Sequence, residues 1–206
     1  MRLRTPRGPL QIWTPPDYDA ATADLVIYVH GYYVTVDQAW RTHGLAAQFE
    51  RSGANAMFVV CGAPSADTDP VDWESLDELI AAIPKPPAGR VIAIAHSGGH
   101  RTIRSWVGER LDGLVLLDAA YGPFPEVIAW LADHPARRLL DVSELTRPWA
   151  DILHAALPES ITVDGFDADH AQHRIVHVRS QLGHMELVTE GVALPALVRW
   201  MLPASP

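Results

Sequence analysis

A chain of 206 residues, 48% hydrophobic and 20% charged, is long enough to bury one large core and too apolar to be disordered. Its formal net charge of −9, with no basic run to offset it, argues against a nucleic-acid backbone as partner. Cys61 is the only cysteine, which excludes an intrachain disulfide and a metal site built on several thiolates.

No apolar run approaches the roughly 18 residues of a membrane span. The first nine residues, Met1 to Pro9, are charged with no apolar signal core behind them, so the expectation is one cytoplasmic domain over residues 1–206 with no membrane insertion. Residues 1–23 contain several prolines and one short apolar stretch, Leu10 to Trp13, which predicts an edge strand at most. Asp24 to His30 reads as a buried strand ending at His30-Gly31-Tyr32-Tyr33. Val36 to Arg51 shows helical spacing through Ala39, Trp40, Leu45, Ala46 and Phe49. A strand over Ala54 to Cys61 follows, then a helix over Trp73 to Ile83 stopped by Pro84, Pro86 and Pro87.

Val91 to Ala95 is a run of small or β-branched apolar residues that leads into His96-Ser97-Gly98-Gly99 and a helix over Gly99 to Arg110. Leu111 to Asp118 is another apolar strand, with an acid at its end. Beyond it come a short helix over Phe124 to Asp133, a strand over Arg137 to Val142, and a helix over Ser143 to Leu157 that Pro148 interrupts or delays. His173 to Arg179 is the last strand, and Leu194 to Met201 a terminal helix that tolerates Pro195 in its first turn. Strands separated by helices imply βαβ units and a mostly parallel sheet.

The segment around Ser97 carries the chemistry. A parallel strand places ligands at its C-terminal end, and the pattern small-x-Ser-x-small, filled here by Ala95 and Gly99, is a nucleophile elbow in which strand and helix cross closely. The competing reading is a glycine-rich turn that binds phosphate, but no Lys follows Gly99, which disfavours a P-loop. On these residues the chain resembles the α/β-hydrolase family, with Ala95 where Gly is more usual. The resemblance covers nearly the whole chain. It implies a three-layer α/β sandwich with a mostly parallel sheet of about six strands, helices on both faces, and a minimal lid, since only residues 119–136 are available to build one.

A serine hydroxyl is a poor nucleophile at neutral pH and needs a base, held in one tautomer by a third group. The family order of nucleophile, acid and histidine points to His184, in the loop after the last strand, as the base. His96 and His100 flank Ser97 and read as structural or pocket-lining, and His30 as a brace for the oxyanion loop. The acid stays open between Asp118, preferred because it ends the strand beside the elbow strand, and Asp141, with Asp164, Asp167 and Asp169 behind them. The resemblance assigns the oxyanion donors to the backbone amides of Gly98 and Tyr32. Tyr33, Trp73 and Tyr121 are candidate walls of a substrate pocket.

The expected activity is a serine hydrolase acting on a carboxylic ester, or an amide or short peptide, through an acyl-enzyme, with a small-molecule substrate and no cofactor or metal. Two other readings compete: a non-catalytic ligand-binding module on the same fold, and a metal-assisted hydrolase using His170 and His173 beside Asp167 and Asp169.

Overall fold

Strands that are apolar on every residue must be flanked by strands on both edges and covered on both faces. The computed structural model, which describes residues 1–108 and 110–202, meets that demand with one nine-stranded sheet. Its centre is β3 (Asp24–Val29), β4 (Ala56–Cys61), β5 (Val91–His96) and β6 (Gly113–Leu117), and all but the first residue of β3 are buried. Around it lie β1 (Arg2–Thr5), β2 (Gly8–Trp13), β7 (Arg138–Ser143), β8 (Ile161–Asp164) and β9 (Ile175–Arg179), in the spatial order β1-β2-β4-β3-β5-β6-β7-β9-β8. Only the β1–β2 hairpin and its junction with β4 are antiparallel.

The sheet therefore has nine strands, where the sequence suggested about six. β1 and β8 leave no apolar run in the sequence because each is four residues long with alternating exposed and half-buried positions. The N-terminal segment is a paired hairpin rather than a lone edge strand.

Eight helices cover the sheet: α1 (Val36–Thr42), α2 (Leu45–Ser52), α3 (Leu76–Ala82), α4 (His100–Trp106), α5 (Pro125–Asp133), α6 (Arg147–Ala155), α7 (Glu186–Thr189) and α8 (Ala193–Met201), counted among the described residues. The single helix expected over 36–51 is broken at Gly44, whose φ of +58° is readily taken by glycine. Pro148 falls in the first turn of α6, which delays the helix start without kinking it. Alternation along β3 divides the core: Leu25, Ile27 and Val29 pack with Ile103 of α4, Val127 of α5 and Leu153 of α6, while Val26 and Tyr28 pack with Phe49 of α2 and Leu197 of α8. Three layers result, and Ser97, Asp118 and His184 all follow the C-terminal ends of parallel strands.

α4 starts so close to β3 that a Cβ on Gly99 would lie 2.7 Å from the Val29 carbonyl oxygen and 2.9 Å from that of His30. Backbone atoms cannot yield as a side-chain tip can, so Gly99→Ala is expected to cost about 1–3 kcal/mol of unfolding free energy. Gly183→Ala, whose nearest contact would be an ordinary 3.5 Å, is the control. Urea unfolding of both variants checks this, and equal midpoints would contradict the close crossing.

Candidate active site

Ser97 follows β5 at the head of a one-turn 3₁₀ segment, Ser97–Gly99, and has φ +51°. A non-glycine residue in that region is held against roughly 1–3 kcal/mol of strain, a cost that folds retain mainly where a side chain must be aimed. The neighbouring glycines explain how the turn fits. A Cβ on Gly31 would sit 2.9 Å from Ser97 Cβ, and one on Gly98 would fall 2.3 Å from the Tyr32 ring. The 31–33 loop thus lies directly on the serine turn. Tyr33, at φ +64°, is turned outwards and 84% exposed.

Asp118 stands one residue beyond β6, also at positive φ, +47°, with its amide donating to the Val142 carbonyl at 2.7 Å. Its carboxylate is fully buried and accepts from five donors. Oδ1 takes the amides of Glu144 (3.0 Å) and Thr146 (2.8 Å) and the Thr146 hydroxyl (2.8 Å). Oδ2 takes the Leu145 amide at 3.1 Å and His184 Nδ1 at 2.6 Å. Burial alone would favour the neutral acid. The hydrogen bonds, led by that of His184 and the amides of Thr146 and Glu144, outweigh it and hold the carboxyl well below the usual range. Because the acceptor is a carboxylate, His184 Nδ1 must carry the proton, which leaves Nε2 with its lone pair.

Asp141 lies elsewhere. It is in register with Leu116 on one side and His177 on the other, in mid-sheet, and its Oδ2 is 3.2 Å from His154 Nε2 beneath α6. His154 Nδ1 in turn contacts the Ser160 hydroxyl at 2.6 Å.

Ser97 and His184 line one cavity of about 300 Å³ together with Tyr32, Tyr33, His43 and Met185. A larger cavity of about 810 Å³ lies at the opposite end of the strands, against Asp24 and Arg90, and includes none of these groups. Tyr121 stands beside the serine: burial raises its phenol pKa, and the Ser97 hydroxyl partly offsets the effect. Its ring packs on His100 at 5.2 Å. Trp73 requires correction as a pocket wall. It is 3% exposed in the core beneath α4, where its carbonyl accepts the Trp106 indole N–H at 2.9 Å. It precedes α3 rather than opening it, so helical spacing did not indicate where its ring would go.

His30 braces the 31–33 loop, with Nδ1 2.7 Å from the Gly31 carbonyl. Two more buried histidines lie under the site. His43 contacts the Tyr28 hydroxyl through Nδ1 at 3.1 Å, and its ring meets that of His96 edge-on at 6.0 Å. His96 in turn packs 4.7 Å from His184. Nothing in the periodicity around His43 sets it apart, whereas His96, a histidine inside a wholly buried strand next to Ser97, was a legible signal. His170 and His173 are 6.1 Å apart, with His170 edge-on to Trp200. Among the described residues no three His, Cys, Asp or Glu side chains converge as a metal-ion site. Nor is any described helix long and apolar enough to cross a membrane.

Comparison with solved structures places this architecture. A fluorophosphonate-binding serine hydrolase of Staphylococcus aureus, solved with substrate bound, superposes with a TM-score of 0.61 over 99% of this chain and 97% of its own, at 10% identity. The fold is that of the α/β-hydrolases. The esterase domain of a Rhodothermus marinus protein gives a TM-score of 0.62 at 14% identity, covering 97% of this chain and 95% of that one. An α/β serine hydrolase without a lid from Xanthomonas campestris gives 0.59 at 16% identity, covering 100% and 95%. At such identities the likeness is one of fold. No family model matches the sequence, and no curated protein matches it.

The buried histidines make stability depend on pH. Burial, then the charge of His30, lowers the pKa of His43 to about 4; burial, then the charges of His184 and His43, lowers that of His96 to about 3. An unfolded chain protonates both near 6.5. Between those limits the unfolded state binds more protons, so stability is lost as pH falls. His30, His100 and His177, whose pKa values burial also lowers, act in the same direction, so the melting temperature is expected to drop steadily from pH 6.5 towards 4 with net proton uptake on unfolding. Asp118 adds a loss of the same sign below its unfolded value. A melting temperature that is flat over that range would contradict this account.

Proposed function

We propose that the chain is a serine hydrolase that cleaves carboxylic esters through an acyl-enzyme. The observation that carries the reading is the 2.6 Å contact between His184 Nδ1 and Asp118, made on the rim of the cavity that a strained Ser97 also lines. With Nδ1 committed, His184 Nε2 accepts the Ser97 proton as Oγ attacks the ester carbonyl, and later delivers that proton to the leaving alcohol. Water, deprotonated by the same nitrogen, then releases the acid and restores the serine. Asp118 keeps the tautomer and stabilises the imidazolium formed in each step.

The amides of Gly98 and Tyr32 are the proposed donors to the oxyanion. They belong to two segments that the glycine contacts bring together, and the Tyr32 amide has no acceptor among the described residues. Donors left free and aimed in advance are what a developing oxyanion needs, and loss of one such donor costs about 10²–10³ in rate. The hydroxyl of Ser97 neighbours Tyr121 and forms no hydrogen bond with His184 among the described residues, so it turns onto Nε2 when substrate binds. A cavity of about 300 Å³ at the small end of ligand sites suits a short acyl group. Amides and short peptides share the chemistry but have poorer leaving groups.

The test is labelling with an alkyl fluorophosphonate followed by peptide mass mapping. One adduct on Ser97 is expected, lost in Ser97→Ala with the fold retained. An adduct on another serine, or none, would overturn the assignment.

A further inference from the structure

We propose that His96 is a positioning residue, which fixes the spacing between nucleophile and base by donating its Nε2–H to the main-chain carbonyl of His184. The proposal rests on Ser97 and His184 having the roles given above.

His96 is the residue immediately before Ser97 and the last of β5, in register with Leu117 of β6. Its Nε2 lies 3.2 Å from the His184 carbonyl oxygen. A carbonyl only accepts, so Nε2 carries the hydrogen and Nδ1 the lone pair. Nδ1 is sealed from solvent without a partner, and lies 3.2 Å from where a Cβ on Gly31 would be. His96 thus adjoins all three parts of the site: it precedes Ser97 in the chain, its ring faces Gly31 of the 31–33 loop, and its Nε2 meets the histidine loop.

His43 supports this ring from below. The Tyr28 phenol has no described partner except His43 Nδ1, and a buried hydroxyl needs an acceptor. With Nδ1 accepting from the phenol, the His43 ring is fixed edge-on to His96. His96 is 3% exposed, and burial with the neighbouring histidine charges keeps it a neutral donor throughout the range in which an imidazole base works. Asp118 holds the imidazole of His184 from one side, whereas His96 holds its backbone. Without the second tie, the ring can keep its tautomer and still drift from Ser97, and a misplacement of about 1 Å can cost about 10² in rate.

The experiment compares His96→Phe, which keeps a ring and loses the donor, with His96→Gln, whose amide N–H₂ can reach the same carbonyl. Hydrolysis of a 4-nitrophenyl ester of a short acid is followed with melting temperature as the check on folding. His96→Phe is expected to lower kcat about 10- to 100-fold with KM within about twofold, and His96→Gln to recover most of kcat. A folded Phe variant with wild-type kcat, or a folded Gln variant no better than Phe, overturns the proposal. If the Phe variant does not fold, the Gln variant decides alone: near-wild-type kcat supports the role, and a folded but slow enzyme rejects it. Fluorophosphonate labelling of the wild type separates the two claims. A wild type labelled at Ser97 with indifferent His96 variants sinks only the positioning role, whereas an unlabelled wild type sinks both.

Discussion

A carboxylate that is fully buried survives only if its oxygens are satisfied, and the five donors around Asp118 meet that requirement. Three of the five are consecutive amides in the turn that leads into α6, and a fourth is the Thr146 hydroxyl in the same turn. That leaves one lone-pair direction, which His184 occupies. The cage therefore joins three segments far apart in sequence: the end of β6, the start of α6 and the loop after β9. Positive φ at Asp118 is the local consequence, because the chain must turn abruptly to point the carboxylate back along the strand edge.

The serine side of the site is built by close approach. Gly31, Gly98 and Gly99 each occupy a place where a methyl group would collide with Ser97, Tyr32 or the backbone of β3. These contacts set the 31–33 loop directly against the serine turn. Interactions distributed through the core hold both strained residues in place, since β5 and β6 lie in mid-sheet with partners on both sides. Its strands are central in the sheet, and no element larger than α5 stands between β6 and β7.

The amino-acid sequence revealed most where the physics is local. The apolar run Val91–Ala95 shortly before Ser97, and the apolar run that ends at Asp118, mark adjacent parallel strands, and His184 lies in the loop after β9. Its failures also have physical causes. β1 and β8 gain their place from pairing at sheet edges, which leaves no continuous apolar signal in four residues. Trp73 reads as a pocket wall, yet it is buried in the apolar core. The hydrogen bonds of His43 and His96 go to Tyr28 and to a carbonyl 88 positions along the chain, partners that spacing does not reveal. Choosing between Asp118 and Asp141 turns on one feature. A strand end directs a side chain along the sheet edge, whereas a mid-strand residue such as Asp141 directs it onto a face, here towards His154.

The most direct measurement of the central claim is steady-state ester hydrolysis by Asp118→Asn and Asp141→Asn, both checked for folding by melting temperature. An amide at 118 keeps the shape of the cage but cannot hold the Nδ1–H tautomer, and the equivalent change in another triad enzyme lowers kcat about 10⁴-fold. The account predicts a loss of that order for Asp118→Asn, with Asp141→Asn within about threefold of the wild type. A large loss in Asp141→Asn, or a folded Asp118→Asn enzyme of undiminished kcat, would contradict it.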